Sequence, residues 1–285
     1  MNILSENFKL TNEEIWYLQT HLTVKEIINV QNYLTQELKI NYKDNVNFEK
    51  IINKCNLNIA IIPKFETIID KKILNFKNIE LLLNKKWLHP SLLAFQYCGN
   101  IEILKKPKIA IIGSRKPTYY GRKIAFHFAK ELAQAGCTII SGGAIGIDTI
   151  ASGTAFDNGL SCAVIGSGLN HLYPASNIKL FQAMLNAKNA VIISEFQSFC
   201  RPQKWNFPRR NITIAALCDF VLVIEAVKTS GSLITAYAAI DMGNHVGAIP
   251  GDISNLNSEG CHELIKNGAY CIQSPKDILE IINFY

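Results

Sequence analysis

From Lys108 to Gly121 the chain reads KIAIIGSRKPTYYG, an apolar, isoleucine-rich run that stops at Gly113, Ser114 and Arg115 before a helical pattern begins. Such runs are typical of strands that are buried on both faces of a parallel sheet. In an open α/β sheet, the loop after such a strand and the free amides of the next helix can bind an anion. The guanidinium of Arg115 suits a phosphate. This stretch therefore predicts a phosphate site, although it spells neither the dinucleotide fingerprint nor the P-loop.

Short apolar runs alternate with helical patterns from this stretch to the end of the chain. The predicted strands are Lys108–Ile112, Cys137–Ser141, Ser161–Ile165, Ala190–Ser194, Asp219–Glu225, His245–Ile249 and Tyr270–Ile272. The predicted helices are Tyr120–Ala135, Ile147–Asn158, Ser176–Ala187, Arg210–Leu217, Gly231–Met242, Ser258–Asn267 and Pro275–Ile282. This alternation predicts the α/β class, with a doubly wound, mostly parallel, Rossmann-like sheet.

Glycine usage indicates a domain boundary, because residues 1–98 contain none and all seventeen follow from Gly99. Helical periodicity before the boundary predicts a small helical domain over residues 1–85. Its predicted helices are Glu13–Leu22, Val24–Leu38, Phe48–Cys55 and Ile68–Leu83. A nucleic-acid adaptor, a protein-docking unit and a simple packed bundle all remain open for it. Residues 86–107 are interpreted as a connector with a short strand and a turn, and residues 108–285 as the Rossmann-like domain.

The composition is ordinary for a folded cytoplasmic protein, with 48% apolar and 18% charged residues in 285. The chain opens without a basic-then-apolar signal, and no apolar run approaches the length of a membrane span, so we expect no membrane association. The eight cysteines form no C-x-x-C pair. They are expected to be buried reduced thiols. No metal and no cofactor is predicted.

Basic residues are distributed unevenly along a chain whose net charge is +6. All the arginines follow the glycine-free segment, and most of them fall in or beside predicted loops, which indicates recognition of an anion. They are Arg115, Arg122, Arg201, Arg209 and Arg210.

Several loops that follow predicted strands have unusual compositions. The loops at 141–143 and 166–168, SGG and GSG, allow a backbone to approach a ligand closely. A second phosphate cradle is predicted at 230–232, SGS, which opens a helix just after Lys228. Residues 202–211, PQKWNFPRRN, are predicted to form a loop that gathers cations, aromatic rings and an amide. Its Trp205 and Phe207 either pin this loop to the sheet or stack on bases, whereas Asp148 is interpreted as a helix cap.

Taken together, these loops resemble those of the DNA-processing DprA/Smf family of natural transformation. The shared motifs are Gly113-Ser114-Arg115, Ser141 to Asp148, Gly168 to Pro174, Ser194-Glu195, Phe207 to Asn211, Glu225-Ala226, Ser230 to Ala236 and Pro250-Gly251. Three positions depart from the family pattern: Ile212 replaces an arginine, Ser152 a histidine and Thr229 a cation. These departures predict weakened or redistributed DNA affinity.

The resemblance implies a homodimeric, non-enzymatic protein that binds single-stranded DNA without sequence specificity and assists loading of the RecA recombinase during DNA uptake and recombination. The residue chemistry agrees, since such binding needs cations for phosphates and aromatic faces for bases. The predicted nucleic-acid-binding residues are Gly113, Ser114, Arg115, Ser141, Gly142, Gly143, Lys204, Phe207, Arg209, Arg210, Asn211, Lys228, Ser230, Gly231 and Ser232.

The alternative is a nucleotide-binding enzyme of the related fold, such as a nucleoside-monophosphate glycosidase. Those enzymes carry a P-G-G-x-G-T-x-x-E signature in which the glutamate performs the chemistry. The corresponding stretch here, residues 229–235, reads TSGSLIT and opens a helix without a glutamate. The only carboxylates placed near the ligand loops are those of Asp148 and Glu195, and no catalytic constellation is evident.

Overall fold

The computed structural model describes residues 72–75, 82–83 and 94–282. Within them a single nine-stranded sheet has the strand order β1-β2-β6-β5-β4-β3-β7-β8-β9. The strands are β1 (Lys72–Asn75), β2 (Ala94–Gly99), β3 (Lys108–Ile112), β4 (Thr138–Ser141), β5 (Leu160–Val164), β6 (Ala190–Ser194), β7 (Phe220–Val223), β8 (His245–Ala248) and β9 (Tyr270–Cys271).

Helices connect the parallel strands. They are α1 (Tyr119–Gln134), α2 (Ile147–Asn158), α3 (Ile178–Leu185), α4 (Asn206–Leu217), α5 (Gly231–Asp241), α6 (Glu259–Lys266) and α7 (Pro275–Ile281). In the part of the chain that the structure describes, none of the helices has the length and apolar character needed to cross a bilayer.

The chain reverses its direction of travel across the sheet beside β3. From β3 it winds outward through β4 and β5 to β6, and α4 then returns it to β7, which pairs with the other side of β3. The strands from β3 onward are parallel, whereas β2 runs antiparallel to β6 and β1 antiparallel to β2. Ligands of open α/β sheets bind at such a reversal, outside the carboxyl ends of the strands.

Both faces of the sheet are covered, which explains the continuous apolar strands. Successive residues of β3 point to opposite faces. Ile109 and Ile111 pack in one cluster with Phe128 of α1, and Ala110 and Ile112 pack in another with residues of α4, α5 and α6. The mostly parallel, doubly wound sheet that the sequence predicts is therefore confirmed, and the strand bounds differ from the predicted ones by at most two residues at either end.

The segment before β3 packs against the loop that follows β6. Gln96 of β2 is fully buried, its amide donates to the carbonyl of Phe196, and its Oε1 accepts a hydrogen bond from Ser198 Oγ at 3.2 Å. The prediction of a helix over Ile68–Leu83 is wrong at Lys72–Asn75, because these residues pair with β2 as a strand. The other helices predicted before residue 68 lie outside the described residues, and the domain division stays a prediction.

The cysteines among the described residues carry no disulfide, and most of them are buried, as the sequence predicts. Cys98, Cys137, Cys162, Cys218 and Cys261 are buried, whereas Cys200 is partly exposed and Cys271 is exposed. Burial raises the pKa of the Cys137 thiol to about 12, so this thiol stays protonated at neutral pH.

The burial of Phe95 on β2 gives a test of this architecture. Because the Phe95 side chain is fully buried, Phe95→Ala should lower the free energy of unfolding by about 3–5 kcal/mol. The control Ile253→Ala changes a side chain that is 90% exposed, and it should stay within about 0.5 kcal/mol of the parent. Urea unfolding measures both, and equal midpoints for Phe95→Ala and the parent would place β2 outside the cooperative core.

Candidate nucleic-acid interface

A cleft of about 580 Å³ opens at the carboxyl ends of β3 and β7, where the strand order reverses. Its walls come from the loop after β3 and from the first turns of α4 and α5. The predicted site residues that line it are Gly113, Ser114, Arg115, Phe207, Arg210, Asn211, Ser230, Gly231 and Ser232. A smaller adjoining pocket shares Arg115, Phe207 and Arg210 with the cleft and adds the predicted Gly142 and Gly143.

Phe207 lines the cleft close to two arginines. The guanidinium carbon of the exposed Arg115 lies 5.7 Å from the centroid of the Phe207 ring, and that of Arg210 lies 5.9 Å from it. Phe207 is partly exposed and also contacts Tyr173, with the ring centroids 5.9 Å apart. The cleft therefore offers an aromatic ring beside an exposed cation, the combination that suits a base and its phosphate.

The interpretation of residues 202–211 as a loop is wrong from Asn206 onward, because α4 begins there. Pro208 lies in the first helical turn, where an amide has no partner within the helix and its loss costs nothing. Trp205 is 72% exposed and so does not pin this segment to the sheet. Phe207 is partly exposed, and one edge of its ring packs against the backbone at Gly166.

Arg210 is buried and links three parts of the structure through hydrogen bonds. Only 5% of it is exposed. Its Nη1 donates to the carbonyls of Gly142 and Val164, the latter at 2.8 Å, and its Nε donates to Asn211 Oδ1 at 3.0 Å. Burial lowers the pKa of its guanidinium to about 10, which still leaves it charged at neutral pH. Arg210 thus holds the start of α4 against the loops that follow β4 and β5.

Asp148 does not cap α2, which corrects the interpretation from sequence. The N-cap of α2 is Gly146, and Asp148 lies in the first turn, 6% exposed, with its Oδ2 accepting from the amide of Ala144 at 3.4 Å. A Cβ at Gly142 would lie 2.6 Å from Asp148 Oδ2 and 2.7 Å from Arg210 Cζ. Glycine at 142 therefore lets the buried carboxyl and the buried guanidinium meet against the backbone.

The N-terminus of α1 already holds a carboxylate from the chain itself. The amide of Thr118, the N-cap of α1, donates to Glu225 Oε2 at 2.9 Å, and the Thr118 hydroxyl donates to Glu225 Oε1. A Cβ at Gly121 would lie 2.4 Å from this carboxyl carbon. Glu225 therefore takes up the Thr118 amide, and phosphate binding in the loop after β3 stays a prediction. Arg115 remains exposed in this loop.

The first turn of α5 forms the opposite wall of the cleft. Ser230 is its N-cap, and the Ser230 hydroxyl accepts from the amide of Ser232 at 3.2 Å. Asn211 of α4 donates to the carbonyl of Gly231 at 3.0 Å, which fixes the two helix starts relative to each other. Apart from its neighbours in the chain and the backbone of its own helix, no described atom lies within 4 Å of the place that a Gly231 Cβ would take. The backbone is therefore open to a ligand there.

The remaining predicted residues fall into two groups. Lys204 and Lys228 are exposed but do not line the cleft. Ser141 is fully buried and donates to the carbonyl of Ile111 at 2.9 Å, and Arg209 donates to the buried Glu195 at 3.2 Å. The structure also adds a cation that the predictions omit, because the exposed Lys116 lines the cleft next to Arg115. Its position directly after the Gly-Ser-Arg motif was the signal available in the sequence.

Comparison with known proteins agrees with this geometry. The sequence model of a family described as DNA recombination-mediator protein A matches residues 79–283, well over half of the chain. The chain belongs to this family. Members of the family are DNA-processing and recombination proteins.

Individual relatives cover the chain to different extents. DNA processing protein DprA of Streptococcus pneumoniae is 35% identical over 97% of this chain and all of its own length. Protein Smf of Escherichia coli is 43% identical over 65% of this chain and 50% of its own length. DNA processing protein DprA of Bacillus subtilis is 40% identical over 64% of this chain and 61% of its own length. The chain therefore spans only half to three-fifths of these last two relatives.

Solved structures of family members show the same fold. The X-ray structure of DprA from Streptococcus pneumoniae superposes with a TM-score of 0.77 at 31% identity, covering 96% of this chain and 98% of that one. DprA from Helicobacter pylori superposes with a TM-score of 0.65 at 29% identity, covering 76% of this chain and 97% of that one. That second structure addresses the single-stranded DNA binding mode of the Helicobacter pylori protein.

The buried carboxyl of Asp148 predicts a pH dependence. Burial raises its pKa from an ordinary 3.8 to about 6, although Arg210 acts in the opposite direction. A carboxyl whose pKa is higher in the folded chain binds its proton more tightly there, so the free energy of unfolding falls as the pH rises from about 4 to about 6. Asp148→Asn should therefore lose less stability than the parent between about pH 4 and about pH 7.

Urea unfolding at both pH values measures this difference. Asp157→Asn is the control, because Asp157 is exposed on the same helix. It should reproduce the loss seen in the parent. Equal losses in Asp148→Asn and the parent would mean that Asp148 is ionised as readily in the folded chain as in the unfolded one.

Proposed function

We propose that this chain binds single-stranded DNA without regard to base sequence, with the cleft between the loops after β3 and β7 as the path of the strand. The observation that carries the proposal is the partly exposed ring of Phe207, 5.7 Å from the exposed guanidinium of Arg115. A ring can stack on any base, and a cation can pair with any phosphate. The binding mode studied in the Helicobacter pylori relative supports the choice of a single strand.

The residues of the cleft divide into contacts and supports. Arg115 and Lys116 are exposed and lie within reach of a backbone phosphate, and Phe207 receives a base. Lys204 and Lys228 attract the strand from the rim, and the open backbone at Gly231 accommodates its close approach. The residues that support the cleft without proposed contact to the strand are Arg210, Ser141, Gly142 and Gly143.

A single strand fits this arrangement better than a duplex. The bases of a duplex are stacked on one another and cannot reach Phe207 or Trp205. The cleft has cations on its rim and in its lining, so the binding energy should come from phosphates and stacking rather than from base edges. The strand should consequently be held tightly at low salt and released as the salt concentration rises.

Family membership supports two finer statements. We infer that the protein acts as a homodimer in the cytoplasm. In a dimer the second DNA engagement would be intramolecular, which would raise the avidity. We also infer that it assists in loading the RecA recombinase onto strands taken up during natural transformation. Both statements extend the recombination role of the family to this chain.

The enzymatic alternative is tested in the same preparation. The helix α5 runs from Gly231 to Asp241, GSLITAYAAID, and offers no glutamate at the place where the related glycosidases carry theirs. Incubation with nucleoside monophosphates should release no free base. Release of a base by a preparation that does not bind oligonucleotides would favour the enzyme over the DNA-binding protein.

Arg115→Ala tests the placement of the cleft. Loss of a charge-assisted contact to a phosphate should weaken binding of an oligothymidylate by about 1.5–3 kcal/mol. Lys179→Ala removes an exposed cation from α3 and should bind like the parent. Fluorescence anisotropy at fixed salt provides the affinities. If Arg115→Ala binds as tightly as the control, the loop after β3 is only a turn.

A salt titration separates phosphate contacts from stacking. The parent should show a slope of log affinity against log salt of about −0.7 per contacted phosphate. Lys204→Ala should flatten this slope by less than about 1. Phe207→Ala should instead lower the affinity by about 1–3 kcal/mol at unchanged slope, and Phe207→Tyr should restore it. A slope near zero, or a strong preference among homopolymers, would contradict binding through the backbone.

A further inference from the structure

The outward side of α1 carries alternating aromatic and basic residues. Tyr119, Lys123, Phe126 and Lys130 are spaced at i, i+4, i+7 and i+11, which keeps them within about 60° of the helix circumference over a length of about 16 Å. Tyr119 is 76% and Phe126 51% exposed. We call these residues the α1 stripe.

These rings are not needed for the core. The opposite side of α1 supplies the buried contacts, through Ala125, Phe128 and Leu132. Single exposed apolar side chains are ordinary, whereas rings interleaved with cations along one helix face have the chemistry of a nucleic-acid surface. Lys123 Nζ lies 5.5 Å from the centroid of the Tyr119 ring, so a cation and an aromatic face are already presented together.

The stripe begins at the edge of the cleft. Arg115 and Lys116 line the cleft, and α1 starts three residues later with its first turn fixed by the contact between Thr118 and Glu225. Residues 115–130 contain five basic and no acidic residues, in a chain whose basic and acidic totals are 29 and 23. A continuous basic path therefore leads from the cleft along α1 and ends at Glu131.

We propose that the α1 stripe is a second binding surface for the same single strand, which receives the nucleotides that emerge from the cleft. The proposal rests on the proposed function of the cleft. Tyr119 and Phe126 offer rings to two separate bases of the strand, and Lys123 and Lys130 lie between and beyond them for the phosphates. Alternation of this kind matches the repeating chemistry of a single strand. The core of a protein–protein interface is instead depleted of lysine.

An oligothymidylate series from about 4 to about 24 nucleotides, which brackets the site sizes of single-strand binding modules, separates the two surfaces. The affinity of the parent should rise with length until the strand covers both. Tyr119→Ala combined with Phe126→Ala should weaken binding of the longest members by about 25-fold or more, because each lost stack costs at least about fivefold. The shortest members should bind this variant like the parent.

The charges of the stripe have their own test. Lys123→Gln combined with Lys130→Gln should flatten the salt slope by about 1.4 for long oligonucleotides only, at about 0.7 per phosphate. Lys179→Gln combined with Lys188→Gln removes the same charge from exposed positions on and after α3 and should leave the slope unchanged. Tyr119→Phe keeps the ring and should bind long oligonucleotides like the parent.

The outcomes distinguish the stripe from the cleft. Thermal unfolding of each variant confirms that the fold is retained, which the exposure of the changed side chains favours. If the parent binds oligonucleotides and the stripe variants match it at every length, the second surface is overturned and the cleft stands. If the parent binds no oligonucleotide of any length, both proposals fail.

Discussion

The shape of the candidate site depends on one buried guanidinium. Arg210 donates to the carbonyls of Gly142 and Val164 and is close enough to the carboxyl of Asp148 for the two charges to interact. Burying a charge is costly unless acceptors surround it, and removing one member leaves the others unsatisfied. Because Arg210 sits in the second turn of α4, this contact also sets where Phe207 stands. The aromatic ring in the cleft is therefore positioned by a residue that itself presents little surface.

The topology explains why such distant parts of the chain meet. The strands β3 and β7 are neighbours although more than a hundred residues separate them, because the chain first winds out to β6 and then returns. Loops at their carboxyl ends therefore face each other across a gap that no third strand fills. The starts of α4 and α5 close the sides of this gap, held together by the contact between Asn211 and Gly231. The cleft follows from the strand order.

Much of the fold could be predicted from the sequence, because strands buried on both faces are continuous apolar runs, and several of them end in glycine-containing loops. The motifs also placed most of the cleft-lining residues. The rotation of α4 about its own axis could not be predicted. That rotation buries Arg210 and leaves the adjacent Arg209 with 35% of its side chain exposed. The role of Glu225 was equally hidden, since its contact with Thr118 spans 107 positions. The pairing of β1 with β2 overrode a helical periodicity.

The contact between Glu225 and Thr118 has a consequence for the kinetics of binding. It fixes the end of the loop that carries Arg115 before any ligand arrives, so the loop pays little ordering entropy when a phosphate docks. If the cleft binds a strand as proposed, association would be limited by the encounter of the two molecules, which the basic rim would accelerate at low ionic strength. The association rate constant should accordingly be set by long-range electrostatic attraction. Differences in affinity among strands should then come from their dissociation rate constants.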